Sequence, residues 1–552
     1  MVRAKIEDCL PPKELWPRLV FRIPFAQPPA KVNVTTLIER NIEKRRGHST
    51  AIYYLDRKIT WYELVDEINR VGNGLKDLGV EEADRVCLYT FNKPEFVTSY
   101  YAIQKIGAIV VPTMFLLRAA EIEYIANHCE AKVIIVDNGL LHEVEKAKPN
   151  LKTIKHIIVI EGKPEEVEAK GYIPYEKLVE KSSNKLEAAE TSWNDVSDLL
   201  YTSGTTGLPK GCAHLHGYRY AQAFSQNSAF PAGSDDVFGT SSPLSFAYGT
   251  DQLGGWLGSD GSAFAINPPG ALKPAQIAEY IVKYRITRFY SIPRVYREIL
   301  RIPDVAKKYD LTIAKICLSS AEPLTPDVAE DWKKTFGNPL RNWIGCSEIG
   351  EFCYAWSDRD DPASIGSPEP GFEVLVIDDE GRICPQGEEG DLAIQGHSGI
   401  LYWKNPEKQK ENVRNGWSYT GDKVRLDMEG MLRYVSRTKF IMKISGATVA
   451  PLEIERVLFT HPAVKDVAVI GKPDKVRGEI PKAFIILKEE YKPSDQLAKE
   501  LQNFVKETIA PYKQPREIEF VKQIPKGPTG KTVYGELQKR VTEEAKKAGI
   551  IQ

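Results

Sequence analysis

The sequence predicts an α/β protein with a large amino-terminal domain followed by a small α+β domain. Short β-branched runs alternate with helix-like segments from residue 21 to about residue 399, and this texture changes near Ser436. A chain of 552 residues also exceeds what one hydrophobic core normally supports. We therefore expect two domains, residues 1–437 and 438–552.

The alternation in the large domain is typical of parallel sheets covered by helices. Helical periodicity appears between the β-branched runs, for example over residues 61–78 and 95–106. The runs that predict buried strands are residues 86–89, 109–111, 133–136 and 157–160.

The small domain has a different pattern. Two apolar runs, residues 467–470 and 483–487, predict strands, and residues 494–509 have the periodicity of an amphipathic helix. A final helix rich in Lys and Glu follows Thr532. No Pro/Gly/Ser linker precedes this domain, so we expect a short hinge.

Composition limits the classes of partner. The 74 basic and 75 acidic side chains give a formal net charge of −1, which supplies no bulk attraction to nucleic acid or to an anionic membrane. The eight cysteines form no CxxC pair, which favours free thiols over a disulfide framework or zinc cluster. The longest apolar stretch, residues 106–117, is too short to span a bilayer. These features predict a cytoplasmic protein without a membrane span.

Residues 199–211 read LLYTSGTTGLPKG, an apolar strand end followed by a loop of Thr, Ser and Gly. Glycines let successive backbone N–H groups converge on a phosphate, hydroxyls add neutral donors and a lysine adds positive charge. The spacing is not that of a Walker A loop. The candidate phosphate-binding residues are Thr202, Ser203, Gly204, Thr205, Thr206, Gly207 and Lys210.

This loop resembles the signature loop of the adenylate-forming superfamily, which includes acyl-CoA synthetases, adenylation domains of peptide synthetases and beetle luciferases. The resemblance extends in the family's order from about residue 34 to residue 540. Four further elements support it: IGCSE at 344–348, YTGD at 419–422, SRTK at 436–439 with PLEIE at 451–455, and PKGPTGK at 525–531.

The resemblance implies both a fold and a reaction. The large domain would be an AMP-binding domain of two α/β subdomains and a distorted β-barrel, and the small domain a mobile lid. The reaction would join a carboxylic acid to ATP, giving an acyl-adenylate and pyrophosphate, and then transfer the acyl group to CoA. ATP, Mg²⁺ and CoA would take part without a tightly bound prosthetic group. The partners would be small molecules, with a homodimer possible.

The resemblance also assigns nucleotide-binding roles. Glu348 would be catalytic by holding Mg²⁺, a hard cation that takes carboxylate and phosphate oxygens, and Thr206 would act with it. Asp422 would accept hydrogen bonds from the ribose hydroxyls, and Arg437 would support ribose and phosphates. The adenine pocket would be formed by Ser320, Ala321 and Glu322.

Lys531 would be the catalytic lysine that bridges the substrate carboxylate and the α-phosphate. The small domain would rotate about Lys439 after adenylation, which suits a hinge between two rigid bodies. The path of CoA would then be lined by Lys443, Ser445 and Gly446. His214 and His216 follow the phosphate loop, and we interpret them as structural.

The acid would lie near five residues: Phe246, Ala247, Tyr248, Gly345 and Glu351. The Phe-Ala-Tyr-Gly string at 246–249 is most similar to benzoate-type aryl-CoA ligases, and Gly345 leaves room for an acid larger than acetate. Glu351 departs from the histidine typical of such enzymes. Its carboxylate would favour a hydroxyl or amine on the substrate, so aryl, aminoaryl, hydroxyacyl and medium-chain acids stay open.

Three alternatives remain at the level of sequence. An adenylation enzyme that loads a carrier protein in trans would share these motifs, and so would a luciferase-like oxygenase. A non-enzymatic binding protein would be expected to lose Lys531 or Glu348, and both are present.

Overall fold

The structure is a computed structural model of the 552-residue chain. It describes residues 9–20, 29–44, 46–202, 209–268, 272–321, 324–355, 364–437, 440, 442–444, 447–474, 478–509, 511–527, 532–548 and 550. The described residues divide into two compact units. The first comprises Met1–Thr202, Pro209–Val374 and Ile394–Ser418, and the second includes Leu375–Ala393 and Tyr419–Gln552.

The first unit contains most of the strands. In chain order these are β1 (Thr50–Tyr54), β2 (Arg57–Thr60), β3 (Arg85–Tyr89), β4 (Ile109–Thr113), β5 (Val133–Asp137), β6 (His156–Ile160), β7 (Ile173–Pro174), β8 (Val196–Thr202), β9 (Lys210–Leu215), β10 (Val237–Thr240), β11 (Ala263–Ala265), β12 (Arg288–Ser291), β13 (Ile316–Ser319), β14 (Leu340–Cys346), β15 (Gly350–Tyr354) and β16 (Ser364–Pro368).

The helices of the first unit lie between these strands. They are α1 (Thr36–Glu43), α2 (Trp61–Asp77), α3 (Pro94–Lys105), α4 (Ala119–His128), α5 (Leu141–Ala147), α6 (Pro164–Ala169), α7 (Tyr175–Lys181), α8 (His216–Ala229), α9 (Ala247–Gly258), α10 (Pro274–Lys283), α11 (Pro293–Leu300), α12 (Val305–Lys308), α13 (Pro326–Phe336) and α14 (Pro406–Asn412).

One sheet of the first unit has the order β7-β6-β5-β3-β4-β8-β9. Strands β3 to β6 pair in parallel, and β9 returns antiparallel to β8. Nearly every residue of β3 to β6 is buried. Burial on both faces explains why these strands read as continuous apolar runs rather than as an alternating pattern.

The other sheet of the first unit runs in the order β16-β15-β14-β13-β12-β10-β11-β1-β2. Strands β10 to β14 pair in parallel with their neighbours, and β15 turns back antiparallel to β14. Helices α2 and α9 pack beside this sheet through Trp61 and Trp256, whose rings stack 4.8 Å apart in one buried cluster. Because β10, β12, β13 and β14 run parallel to one another, their carboxyl ends lie along one edge of the sheet.

The strands from β17 onward are β17 (Glu373–Ile377), β18 (Glu389–Gln395), β19 (Val413–Arg414), β20 (Trp417–Leu426), β21 (Leu432–Arg437), β22 (Met442–Ile444), β23 (Ala447–Val449), β24 (Val464–Asp474), β25 (Gly478–Leu487) and β26 (Glu517–Phe520). Three helices accompany them in the second unit: α15 (Pro451–Phe459), α16 (Asp495–Thr508) and α17 (Tyr534–Lys547).

The second unit has its own sheet of order β23-β22-β25-β24, with β26 added beside β25. Its core is a separate cluster that contains Val469, Ile485, Leu501 and Val505. Strands β17, β18, β20 and β21 are hydrogen-bonded to one another in that order, and β20 and β21 are antiparallel. The predicted boundary at 437/438 falls within this unit, and as a domain boundary it stays a prediction.

Candidate active site

The candidate site begins where parallel strands of the first unit end. Ser319 in β13 lies opposite Ser291 in β12 and Asn342 in β14. Ligands of open α/β sheets bind beyond the carboxyl ends of such strands. Residues 320–321 follow β13 directly, and residues 347–348 follow β14.

A buried carboxylate lies at this edge. The turn from β14 into β15 places Glu351 opposite Gly345, and Glu351 is only 5 % exposed. The Ser320 hydroxyl donates to the two carboxylate oxygens at 3.3 and 3.4 Å. A Cβ atom on Gly345 would lie 2.4 Å from Glu351 Oε2, so glycine is what permits this close approach. Part of the room that Gly345 leaves is thus bordered by a carboxylate.

The start of α9 carries two aromatic side chains, and one of them, Tyr248, lies near this carboxylate. Phe246 is the N-cap residue of α9 and is half-buried. Tyr248, the second residue of α9, is buried and its hydroxyl donates to the Leu318 carbonyl at 3.2 Å. Burial, and then the charge of Glu351, raises the pKa of Tyr248 well above its usual value. This hydroxyl therefore stays protonated and acts as a donor.

Asn92, a buried residue between β3 and α3, fixes the loop before α9. Its side-chain nitrogen donates to the Ser242 carbonyl at 3.1 Å, and its oxygen accepts from the Leu244 backbone at 2.8 Å. These two bonds hold the segment that leads to Phe246.

Ala321 adopts a left-handed backbone conformation, with φ of 71°. This region favours glycine because a Cβ atom is crowded there. The sequence therefore carries alanine at a turn that glycine would fit better.

In the first unit one tyrosine contacts a lysine through its ring and a glutamate through its hydroxyl. Lys210 begins β9, and its ammonium lies 5.1 Å from the centre of the Tyr402 ring. The Tyr402 hydroxyl donates to Glu348 Oε1 at 3.0 Å. Tyr402 is buried, and burial followed by the Glu348 charge raises the pKa of its hydroxyl.

A buried network supports the turn that contains Glu348. His214 Nε2 lies 3.0 Å from the Ser347 carbonyl oxygen, so this nitrogen donates. His214 Nδ1 lies 2.8 Å from Asp198, and Arg219 bonds both oxygens of Asp198 at 2.8 Å. Burial alone would raise the pKa of Asp198, but Arg219 and then His214 hold it well below its usual range.

In the second unit, two of the expected nucleotide-binding residues are paired by strand register. Asp422 in β20 is the register partner of Arg437 in β21. Asp422 is buried, and its backbone N–H donates to the Thr420 hydroxyl at 3.3 Å. Lys443 lies in β22.

The second unit also positions both ends of the loop expected to contain the catalytic lysine. Lys526 pairs with Thr532, and its ammonium lies 2.9 Å from both the Thr532 hydroxyl and Asp466. The Tyr534 hydroxyl donates to Glu455 at 2.7 Å. Burial raises the pKa of Glu455 to about 7.

Two family models match this chain. The AMP-binding enzyme model matches residues 38–401. The model of the AMP-binding enzyme C-terminal domain matches residues 453–531.

The chain belongs to the AMP-binding enzyme family.

Curated and solved members of this family cover almost the whole chain. The uncharacterized acyl-CoA ligase YtcI of Bacillus subtilis is 34% identical over 91% of this chain and 94% of its own. The benzoate-CoA ligase of Thauera aromatica is 33% identical over 90% of this chain and 93% of its own. A crystal structure of the anthranilate CoA ligase AuaEII with anthranoyl-AMP superposes with a TM-score of 0.87 at 34% identity, over 94% of this chain and 99% of that chain.

These findings confirm several predictions. The predicted superfamily is correct, as is the α/β fold with a large and a small domain. The enzyme is an AMP-forming acid–thiol ligase, and ATP and CoA fit this family as substrates. Among the residues that the structure describes, no helix is long and apolar enough to cross a membrane.

Several predicted site residues of this AMP-binding enzyme lie outside the described residues, and their roles stay predictions. They are Ser203, Gly204, Thr205, Thr206, Gly207, Glu322, Lys439, Ser445, Gly446 and Lys531. The roles of the described site residues also stay predictions. His214 and His216, interpreted as structural, are both buried.

The sequence did not reveal Asn92, Tyr402 or the pairing of Glu351 with Ser320. Each depends on contacts between residues far apart in the chain. Tyr402 lies in an apolar segment, LYW at 401–403, and no feature of that segment distinguishes it from a core strand.

Proposed function

We propose that this enzyme joins an aryl carboxylic acid with an amino or hydroxyl substituent to CoA, through an acyl-adenylate. The observation that carries the acid assignment is the buried carboxylate of Glu351 beside Gly345 and Tyr248. A buried carboxylate next to a bound substrate favours a ligand that brings a hydrogen-bond donor, because a carboxylate can accept several hydrogen bonds. The solved relative named for anthranilate, an aminobenzoate, supports the same class.

In the first half-reaction the acid carboxylate would attack the α-phosphate of ATP and pyrophosphate would leave. Both reactants are anionic, so alignment and charge screening dominate catalysis. Lys210 and the loop after Thr202 would hold the departing phosphates. Asp422 would accept bonds from the ribose, with Arg437 beside it. Lys531 would bridge the substrate carboxylate and the α-phosphate.

Glu348 fits the proposed metal role. Among the described residues its side chain has one hydrogen bond, to Tyr402, and that bond uses Oε1 alone. The described residues also contain no cluster of three metal-ligating side chains. Mg²⁺ is commonly held by one or two carboxylates and substrate phosphates, so one carboxylate beside a nucleotide suits it. When bound with ATP, the ion would neutralise charge that develops on the phosphates.

In the second half-reaction the CoA thiol would attack the acyl carbonyl and AMP would leave. Lys443, Ser445 and Gly446 would line its approach after the small domain rotates about Lys439. Loading of a carrier protein is not favoured, since the relatives above are named as CoA ligases.

The test is a panel of acids with ATP, Mg²⁺ and CoA, measuring kcat/KM for AMP formation. We expect 2-aminobenzoate or a hydroxybenzoate to exceed benzoate by at least about tenfold, and hexanoate and acetate to rank below benzoate. A wild-type ranking with benzoate or hexanoate first would refute the acid assignment while leaving the ligase chemistry in place.

Two variants separate the contributions of Glu351. Glu351→Leu removes the acceptor and should bring the substituted and unsubstituted benzoates to similar kcat/KM. Glu351→Gln keeps the shape and one acceptor oxygen, so it should retain a preference for a neutral amine or hydroxyl. An unchanged ranking in a folded Glu351→Leu enzyme would show that this carboxylate does not contact the acid.

A further inference from the structure

Tyr402 occupies a position fixed by strand pairing with β9. The Ala213 N–H donates to the Leu401 carbonyl at 2.8 Å, and the Trp403 N–H donates to the Gly211 carbonyl at 2.9 Å. Tyr402 therefore lies directly opposite Cys212. Since side chains alternate along a strand, the side chain of Tyr402 lies on the same face as that of Lys210, two residues before Cys212.

The backbone of this segment is also held from the other side. The Tyr402 N–H donates to the side-chain oxygen of Gln409 at 2.9 Å. The side-chain nitrogen of Gln409 donates to the Ile400 carbonyl at 2.8 Å and to the Leu15 carbonyl at 3.0 Å. Gln409 and Tyr402 are both almost fully buried. The ring consequently has little freedom to leave Lys210 or Glu348.

We propose that Tyr402 is a positioning residue that orients Glu348 for the metal and Lys210 for the phosphates. This inference rests on the proposed function, in which Glu348 and Lys210 bind the metal–nucleotide. The hydroxyl fixes Oε1 of Glu348 and leaves Oε2 for the ion. The ring face attracts the lysine ammonium through its quadrupole without neutralising it.

The arrangement also keeps two opposite charges from pairing with each other. Among the described residues, neither Lys210 nor Glu348 forms an ion pair within 4 Å. A direct pair between them would have to be broken each time a nucleotide binds. Tyr402 satisfies each group with a neutral partner instead, so both charges stay available to the ligand.

The decisive variant is Tyr402→Phe, which removes one oxygen and keeps the ring over Lys210. Partners that orient a metal-binding carboxylate typically contribute about 10–100-fold to metal affinity. We expect Mn²⁺, measured by electron paramagnetic resonance in the presence of α,β-methylene-ATP, to bind Tyr402→Phe about 10–100-fold more weakly. Binding of the analogue without metal should be unchanged, because the ring remains.

Tyr402→Leu removes both contacts and should weaken the analogue with and without metal. Tyr175→Phe is the matched control, since the buried Tyr175 hydroxyl donates to Glu67 at 3.0 Å in another part of the first unit. That control should bind Mn²⁺ and the analogue like the wild type. A thermal unfolding midpoint for each variant shows whether it is folded.

The assay contains neither acid nor CoA, so it separates two failures. If the wild type binds no metal–nucleotide, the proposed function and this inference both fail. If the wild type binds it and Tyr402→Phe binds it equally well, only the role of Tyr402 is refuted. Equal loss of the analogue with and without metal in Tyr402→Phe would also refute it, because that pattern indicates general distortion.

Discussion

In the first unit the buried Asp198 faces a guanidinium and an imidazole, whereas in the second unit the buried Glu455 faces a hydroxyl and a backbone N–H. The consequence for protonation is opposite. The pKa of Asp198 is held well below its usual range, and the pKa of Glu455 rises to about 7. The adjacent cation keeps the Asp198 carboxylate charged at ordinary pH, whereas Glu455, which is bonded only to neutral donors, is partly protonated near pH 7.

The two units also fix their candidate site residues over different distances along the chain. Glu351 and Ser320 meet because β13, β14 and β15 are neighbours in a large sheet. The ends of the Lys531 loop meet through a local pair, Lys526 with Thr532. The comparison predicts that the first unit depends on the charge network of Asp198 for stability at every ordinary pH, whereas the stability of the second unit changes with the protonation of Glu455.

Asp198→Asn should have the largest effect and tests the first half of this comparison. It leaves Arg219 buried with one charged partner fewer, and breaking such a pair typically costs about 3–5 kcal/mol. All nine tryptophans precede residue 419 in the first unit, so tryptophan fluorescence during urea unfolding reports that unit. Asp56→Asn is the control: Asp56 is 95% exposed beside Lys283, and its loss should cost at most about 1 kcal/mol. Equal effects in the two variants would contradict the comparison.

Lys531→Ala tests whether the second unit serves one half-reaction. Loss of one transition-state charge contact should cost about 3–4 kcal/mol, on the order of 10²–10³ in the rate of pyrophosphate release. Thioester formation from supplied acyl-adenylate should be largely spared. Lys539→Ala, an exposed lysine on α17, should leave both rates unchanged. A similar loss in both half-reactions would remove Lys531 from the proposed role.

Glu455 predicts a pH dependence confined to the second unit. Its pKa of about 7 in the folded chain exceeds the usual value of about 4.3, so between these values the folded state binds more protons. Stability of this unit should therefore fall as pH rises through that window, by about 3–4 kcal/mol in total. Asp466 and Lys526 are the charged groups near Glu455, and their opposite effects on its pKa are smaller than that of burial.

Hydrogen exchange of β24 amides at pH 5 and pH 8, compared with Glu455→Gln at the same pH, measures this effect. The variant keeps the acceptor for Tyr534 and should be insensitive to pH in this window. Stability that rises between pH 5 and pH 8 in the wild type alone would contradict the sign.

The smallest effect concerns Ala321. Replacing alanine by glycine at positive φ should relieve about 1 kcal/mol of backbone strain. Ala83, with φ of 60°, lies in the first unit away from the candidate site, so Ala83→Gly should give a similar gain in urea unfolding. Only Ala321→Gly should also change KM for ATP, if the turn after β13 contacts adenine. A change of KM in both variants, or in neither, would remove Ala321 from the adenine pocket.

Much of the secondary structure followed from the sequence because its causes are local. The runs at 86–89 and 133–136 are strands, and α2 ends at Asp77, close to the predicted residue 78. The strand order could not be predicted in the same way. Strand β11 lies between β10 and β1, although about two hundred residues of chain separate β1 from β11. Such pairings depend on the packing of whole layers.

The candidate site shows the same division. Lys210 and Glu348 were found because each lies in a short motif with a chemical reason for its residue types. Tyr402 was missed because its role depends on facing two residues that are 192 and 54 positions away. A pattern within one segment holds no information about such a partner.

The pairing of residues 401–403 with β9 limits which insertions and deletions the protein can accept nearby. Trp403 has its ring under the Arg85 guanidinium, and Tyr402 faces Lys210. A shift of one residue in this pairing exchanges the two side chains between faces of the sheet. A single-residue deletion between β18 and Tyr402 that shifted this pairing would place an indole where the phenol now lies, at the proposed nucleotide site.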